Sequence, residues 1–241
     1  MNESTPFSRA IRDFHRDDSA GALVARDGPK TETHPIEAYY FEPPNEETLA
    51  WLDSRLDGPL CDLGAGAGRH ALSFQDRFET VAVEPDAALV ETMADRGVET
   101  AVQADMFGLR ESFDRDRFGS ALVWGTQLGL SRSMAGVRQF LDDLAAVTTP
   151  EATAVVDSYD PAREATTELL GYRSDSTPGL AFRVLTFEYD GELGRPLLFR
   201  LFAPDRLREA AEATGWTVTE IRYDAPNAPH YAAVLEKRSE S

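Results

Sequence analysis

The sequence predicts an α/β protein built on a doubly wound, mostly parallel sheet. Short apolar runs such as PLCDLG, TVAVE and GSALVWG alternate with stretches that have helical periodicity. Strands that alternate with amphipathic helices form βαβ units, and parallel strands buried on both faces are continuous apolar runs. The length of 241 residues is sufficient for one large α/β domain with a complete core.

Two parts are predicted: an N-terminal helical or lid segment at residues 1–44 and a main domain at residues 45–241. In the first part, the apolar spacing of FSRAIRDF indicates one helix, and the stretch from there to Pro35 is expected to be irregular. In the main domain, Asn45 and Asp86 are the expected N-caps of two helices.

The later part of the chain has a different pattern. After the helix MAGVRQFLDDLAAV and the strand TAVVDSY, residues 180–202 contain two apolar runs around the turn signal DGELGRP. They are predicted to form a β-hairpin insertion. The helix PDRLREAAEATG and the strands WTVTEIRYD and HYAAVLEK follow.

Composition and charge limit the function classes. There are 42 acidic and 24 basic residues, a formal charge of -18. Such a surface repels nucleic acid and anionic membranes, so neither is an expected partner. No apolar run reaches the ~18 residues of a membrane-spanning helix. The N-terminus lacks the apolar core of a secretory signal, and the single cysteine, Cys61, forms no internal disulfide. A cytoplasmic location is therefore expected.

The basic residues are unusual, because only Lys30 and Lys237 are lysines. An acidic, lysine-poor chain favours a halophilic source, where molar salt screens the self-repulsion of the surface. A GC-rich genome is the alternative, and it explains the missing lysine but not the excess of acid. In a halophilic source the charge says little about partners.

A glycine-rich turn follows the first strand of the main domain, from Asp62 to Gly68. Glycines let a ligand approach the main chain, and the next helix directs its N-terminal N–H groups at that ligand. Glu84 ends the second strand, 20 residues after Gly64, where a carboxylate accepts hydrogen bonds from ribose hydroxyls. Asp105 ends the third strand and can accept from an adenine amino group. These strand ends border one crevice.

The dinucleotide fingerprint G-x-G-x-x-G/A fits this turn poorly. Counted from Gly64, its third position is Arg69, whose long side chain would crowd helix–strand packing. Counted from Gly66 it ends at Ala71 and leaves Asp62 without a role. A nucleotide-dependent oxidoreductase stays an alternative that nicotinamide binding would support.

Four stretches in order, DLGAGAGRHAL, VAVEPD, VQADMF and FGSALVWGTQLGL, resemble the motifs of class I S-adenosylmethionine-dependent methyltransferases. The resemblance covers residues 45–160. It implies S-adenosylmethionine as cofactor and a Rossmann-like, seven-stranded sheet with an antiparallel C-terminal strand.

The resemblance also implies the cofactor-binding residues. They are Asp62, Gly64, Ala65 and Gly66 for the methionine part, Glu84 and Pro85 for the ribose, Asp105 and Met106 for the adenine, and Trp124 and Gly125 for the floor. A helix-capping role for Asp62 and a core position for Trp124 stay open. Candidates for contacting the acceptor are Tyr39, Tyr40 and Gln127, with ordinary packing as the alternative for the two tyrosines.

The histidines predict neither a metal site nor a general base. His70 is expected to pack near the cofactor, His15 and His34 to be exposed, and His230 to be structural. The four are too scattered, and cysteine too scarce, for a set of metal ligands. Because the sulfonium methyl is already activated, positioning can supply much of the acceleration, and no catalytic residue is predicted.

The acceptor is predicted by its class only. The fourth motif contains WGTQLGLS in place of Asn/Asp-Pro-Pro-aromatic, which argues against methylation of DNA adenine or of glutamine. The hairpin insertion and the acidic charge favour a small-molecule acceptor. A non-catalytic cofactor-binding or scaffold protein is the remaining alternative, because cofactor residues say nothing about transfer.

Overall fold

The computed structural model describes residues 5–238, so the outermost residues of both predicted parts lie outside the described chain. The α-helices are α1 (Pro6–His15), α2 (Glu46–Asp53), α3 (Arg69–Phe74), α4 (Ala87–Asp95), α5 (Leu109–Ser112), α6 (Met134–Val147) and α7 (Pro204–Glu212). The strands are β1 (Val24–Asp27), β2 (Lys30–Thr33), β3 (Leu60–Leu63), β4 (Thr80–Glu84), β5 (Ala101–Gln103), β6 (Phe118–Val123), β7 (Thr148–Tyr159), β8 (Tyr172–Ser174), β9 (Leu180–Tyr189), β10 (Glu192–Leu193), β11 (Leu197–Phe202), β12 (Trp216–Tyr223) and β13 (His230–Lys237).

The larger sheet has seven strands in the order β5-β4-β3-β6-β7-β13-β12. Strands β3 to β7 pair in parallel, and β13 runs antiparallel to both β7 and β12. The chain reverses direction across the sheet between β3 and β6, so the carboxyl ends of these two strands flank a switch point. The predicted α/β architecture is confirmed.

Both faces of this sheet are covered by helices. On one face Phe140 and Leu144 of α6 and Leu207 of α7 pack into the main core with strand residues. On the other face Leu52 of α2 and Phe74 of α3 pack against the strands. The predicted N-caps are also observed, because Asn45 accepts from the Thr48 N–H and Asp86 from the Ala88 N–H.

A second, antiparallel sheet forms around β9, which pairs with β1, β8, β10 and β11. Strands β9 and β11 lie in the segment predicted to be a hairpin. The expectation that the chain is irregular between α1 and Pro35 is wrong. That stretch contains the β1–β2 hairpin, and β1 pairs with β9 from a distant part of the sequence.

The N-terminal segment packs as part of this second layer. Helix α1 lies against α4 and β9 and buries Ala10 and Ile11 with Leu23 and Phe187 in one apolar cluster. Among residues 5–238 no helix is long and apolar enough to cross a membrane.

Candidate functional site

The glycine turn after β3 lies at the carboxyl edge of the large sheet, and its glycines leave the main chain there without side chains. Gly64 and Gly66 have φ angles of 69° and 58°, in the left-handed region that favours glycine. A Cβ at Gly64 would lie 2.8 Å from Cγ of Gln127, and one at Gly66 would lie 3.2 Å from the Tyr40 ring. Two predicted acceptor-contact residues, Gln127 and Tyr40, therefore lie directly against the turn.

Glu84 ends β4 beside this turn and is buried. Its Oε2 accepts from the Gly66 N–H at 3.1 Å, and its Oε1 accepts from the Asp86 N–H at 3.2 Å. Burial raises the pKa of Glu84 to about 7, against the lowering effect of these two hydrogen bonds. Each oxygen keeps a further lone pair, so the carboxylate can also accept from ligand hydroxyls.

Asp62, the acidic residue that precedes the turn, is buried inside β3, and its Oδ2 has no hydrogen-bond partner among the described residues. Burial raises the pKa of Asp62 to about 7, and a hydrogen bond from the Ala71 N–H in α3 opposes this shift. The bond to α3 supports the capping alternative for one oxygen. The other is an orphaned acceptor that a bound cationic group would satisfy.

Asp62 should make the free energy of unfolding depend on pH. Its pKa is about 7 in the folded chain and 3.8 for the free side chain, so between these values the folded state binds more protons and stability falls as pH rises. In urea denaturation across pH 4–8, wild type should lose about 1 kcal/mol or more relative to Asp62→Asn. Parallel profiles for the two proteins would show that Asp62 is ionised throughout.

The predicted adenine residues follow β5 on the neighbouring strand end. Asp105 is exposed, and its Oδ1 accepts from the Phe107 N–H at 3.0 Å, which caps a short 3-10 helix from Met106 to Gly108. Met106 is buried in the main core, while Pro85 after β4 is exposed. The register Glu84 opposite Gln103 aligns the ends of β4 and β5, so Asp105 lies on the same edge as Glu84.

A π-helical turn at Glu37–Phe41 covers the glycine turn, and it carries both predicted tyrosines. Tyr40 is half-buried, and its hydroxyl lies 2.9 Å from Nε2 of His34, whereas Tyr39 is 53% exposed. The expectation that His34 is exposed is wrong. Its ring packs against Phe187 of β9, and burial, with the charge of Arg183, lowers the pKa of His34 to about 4.

Two arginines connect the π-helical turn and the residues after it to the glycine turn. The sequence did not predict this role for either of them. Arg96 donates to the carbonyls of Tyr40, at 2.7 Å, and of Ala67. Arg69 donates to the carbonyls of Glu42, at 2.6 Å, and of Pro43. The side chain of Arg69 thus reaches outward to this segment and does not crowd the packing of α3 on the sheet. Only the folded chain shows these contacts, because they join positions that are far apart in sequence.

Beyond β6 the main chain forms a second tight turn, at Gly125 and Thr126. Their φ angles are 85° and 62°, and Thr126 is a non-glycine residue in the left-handed region. Asp157 of β7 accepts from the N–H of Gly125 at 2.8 Å and from that of Thr126 at 2.7 Å. Trp124, which precedes the turn, is half-buried, with ring centroids of His70 and His230 at 5.8 Å and 6.0 Å.

His230 of β13 links this turn to the sheet. Its Nε2 lies 2.9 Å from Asp157 and its Nδ1 lies 3.0 Å from Asp224. Burial disfavours the charged ring, but the two carboxylates outweigh burial and raise the pKa of His230 to about 10. The structural role predicted for His230 is therefore a specific one, namely support of the turn through Asp157.

Solved structures share this architecture over most of the chain. An S-adenosylmethionine-dependent methyltransferase from Bacteroides fragilis, in complex with S-adenosylhomocysteine, has 23% identity and a TM-score of 0.78 over 98% of this chain and 95% of that one. The CcbJ methyltransferase from Streptomyces caelestis has 16% identity and a TM-score of 0.67 over 98% and 100%. This chain has the fold of S-adenosylmethionine-dependent methyltransferases.

A third structure with this fold contains a substrate. It is the 1,6-didemethyltoxoflavin-N1-methyltransferase from Burkholderia thailandensis with bound 1,6-didemethyltoxoflavin and S-adenosylhomocysteine, at 19% identity and a TM-score of 0.53 over 80% of this chain and 76% of that one. No protein-family model and no curated protein matches the sequence.

Proposed function

We propose that this protein transfers a methyl group from S-adenosylmethionine to a small-molecule acceptor. The observation that carries the proposal is the pairing of Glu84 with the glycine turn, in which the carboxylate accepts from the Gly66 N–H at the edge of a methyltransferase-like sheet. A buried carboxylate can accept from ribose hydroxyls, and a glycine main chain beside it allows the amino-acid part of the same ligand to approach closely.

The residues present fit this cofactor. The unsatisfied Oδ2 of Asp62 would accept from the ammonium of the methionine part, and the glycines of the turn would let that part approach the main chain. Glu84 and Pro85 would hold the ribose, Asp105 and Met106 the adenine, and Trp124 and Gly125 the floor. When bound, S-adenosylmethionine would supply an electrophilic methyl group for the nucleophile of the acceptor, with S-adenosylhomocysteine as the other product.

The chain itself contributes positioning and the exclusion of water. Tyr40 lies over Gly66, and Arg96 and Arg69 fix the main chain that follows it. Parts of the second sheet and of the π-helical turn lie at this edge, because β11 packs against residues 127–131 and the Tyr40 ring lies against Gly66. Elements placed there would enclose a small acceptor more readily than a polymer. The acidic surface gives nucleic acid no electrostatic attraction.

Calorimetric titration with S-adenosylmethionine, in high salt because of the acidic composition, tests the cofactor. We expect saturable binding of S-adenosylmethionine and none of NAD or NADP. The S-adenosylhomocysteine formed on incubation with a small-molecule metabolite extract then tests transfer, with RNA and protein fractions as controls. Nicotinamide binding alone would support the oxidoreductase alternative. Cofactor binding without turnover on any fraction would support the non-catalytic alternative.

A further inference from the structure

A group of hydrogen-bond donors lies between the end of β7, the π-helical turn and β9. Its members are Tyr159, the last residue of β7, and Arg183 of β9. Tyr39 lies beside them through His34, whose ring centroid is 5.1 Å from that of Tyr39. The guanidinium carbon of Arg183 lies 5.6 Å from the centre of the Tyr159 ring. The charge of Arg183 also lowers the pKa of His34, which precedes the π-helical turn, so Arg183 lies near this part of the chain too.

Arg183 differs from most arginines of this chain, which form ion pairs with carboxylates on the surface. It is half-buried, and its Nε donates to the Leu170 carbonyl at 2.9 Å. Among residues 5–238 its two terminal nitrogens have no hydrogen-bond partner and no carboxylate within ion-pair distance. The hydroxyls of Tyr159 and Tyr39 likewise have no hydrogen-bond partner within the described chain.

The nearby carboxylates are already engaged. Asp157 accepts from two main-chain N–H groups and from His230, and Asp224 accepts from His230 on its other side. Neither lies within ion-pair distance of Arg183. The terminal N–H groups of Arg183 and the two tyrosine hydroxyls therefore have no acceptor within the described chain. This is unusual in a chain with a charge of -18, where carboxylates are abundant. A guanidinium held by its Nε and packed over a ring has a fixed orientation, with its free edge available to a planar anion.

We propose that Arg183, with the hydroxyls of Tyr159 and Tyr39, binds a carboxylate group of the acceptor. This inference rests on the proposed function, because it assigns the substrate class of the same site. The planar fork of Arg183 matches the two oxygens of a carboxylate, and Tyr159 adds a ring face for an aromatic or other flat body. The acceptor is then an acid whose charged end lies against β9.

Benzoate and its neutral isostere benzamide test the carboxylate site. Each is titrated into protein saturated with S-adenosylhomocysteine, with binding followed by ligand-observed NMR at fixed ionic strength. We expect benzoate to bind wild type about tenfold or more tightly than benzamide, because charge-assisted hydrogen bonds are the stronger kind. Arg183→Gln should abolish that preference, and Arg183→Lys should keep part of it. Arg195→Gln, at an exposed position in the loop between β10 and β11, should keep all of it.

Equal binding of the two probes to wild type, binding of neither, or a preference that survives in Arg183→Gln would overturn the proposal. The affinity for S-adenosylhomocysteine should be the same in all four proteins, which shows that each is folded. If wild type binds no S-adenosylhomocysteine, the proposed function fails on that result alone. The preference for benzoate, measured then on the unliganded protein, still decides the carboxylate site.

Discussion

Glu84→Ala is expected to weaken S-adenosylmethionine binding by about ten- to a hundredfold. The substitution removes the acceptors that we propose for the ribose hydroxyls. It also leaves the N–H groups of Gly66 and Asp86 without their side-chain partner, so the glycine turn keeps only its main-chain hydrogen bonds to Val83 of β4. Both effects act on the bound state, because the turn must keep its shape to present main chain to the ligand. Calorimetric titration of the two proteins measures the difference.

A matched control separates this effect from the loss of one negative charge. Glu91 is an exposed carboxylate on α4, and Glu91→Ala should bind S-adenosylmethionine as wild type does. Thermal unfolding of each variant shows whether the fold is kept. If Glu84→Ala is folded and binds the cofactor with unchanged affinity, Glu84 does not contact the ribose and the assignment of the second motif is wrong.

The order of strands and helices in the main domain could be predicted because local signals dominate there. Strands β3, β4 and β6 are buried on both faces and so appear as short, mostly apolar runs, and the helices begin at N-caps such as Asn45 and Asp86. The positions of Glu84 and Asp105 follow from the same rule, since each comes at or just after the end of such a strand.

The second sheet could be predicted only in part, because its N-terminal strands lack a local pattern. All four residues of β2 are exposed, so no apolar alternation marks it. Strand β1 is held by β9, more than half the chain away, and a single sequence gives no sign of that pairing. The support of the Gly125 turn is equally non-local, because Asp157 and His230 are 73 positions apart.

Asp157→Ala is expected to have the largest effect on stability, a loss of about 3–5 kcal/mol. Asp157 is 1% exposed, and its two oxygens accept from Gly125, Thr126 and His230. Without it, two main-chain N–H groups of a left-handed turn lose their partner, and the half-buried imidazole of His230 keeps only Asp224. Urea denaturation measures the loss. Asp114→Ala, at an exposed position without a partner among the described residues, should change stability little.

Asp157→Asn removes the charge of Asp157 and keeps the size of its side chain, so it separates the two contributions to stability. The pKa of His230 is about 10 in the folded chain and 6.5 for the free side chain, so the folded state binds more protons between these values. The stabilisation from this pair is complete below pH 6.5 and is lost as pH rises through 10. Since the neutral amide removes one of the two carboxylates that hold the proton, the stability of Asp157→Asn should fall less steeply over this range. If the two profiles are parallel and Asp157→Ala is as stable as Asp114→Ala, the Gly125 turn keeps its shape without Asp157, and β6 alone determines where Trp124 lies.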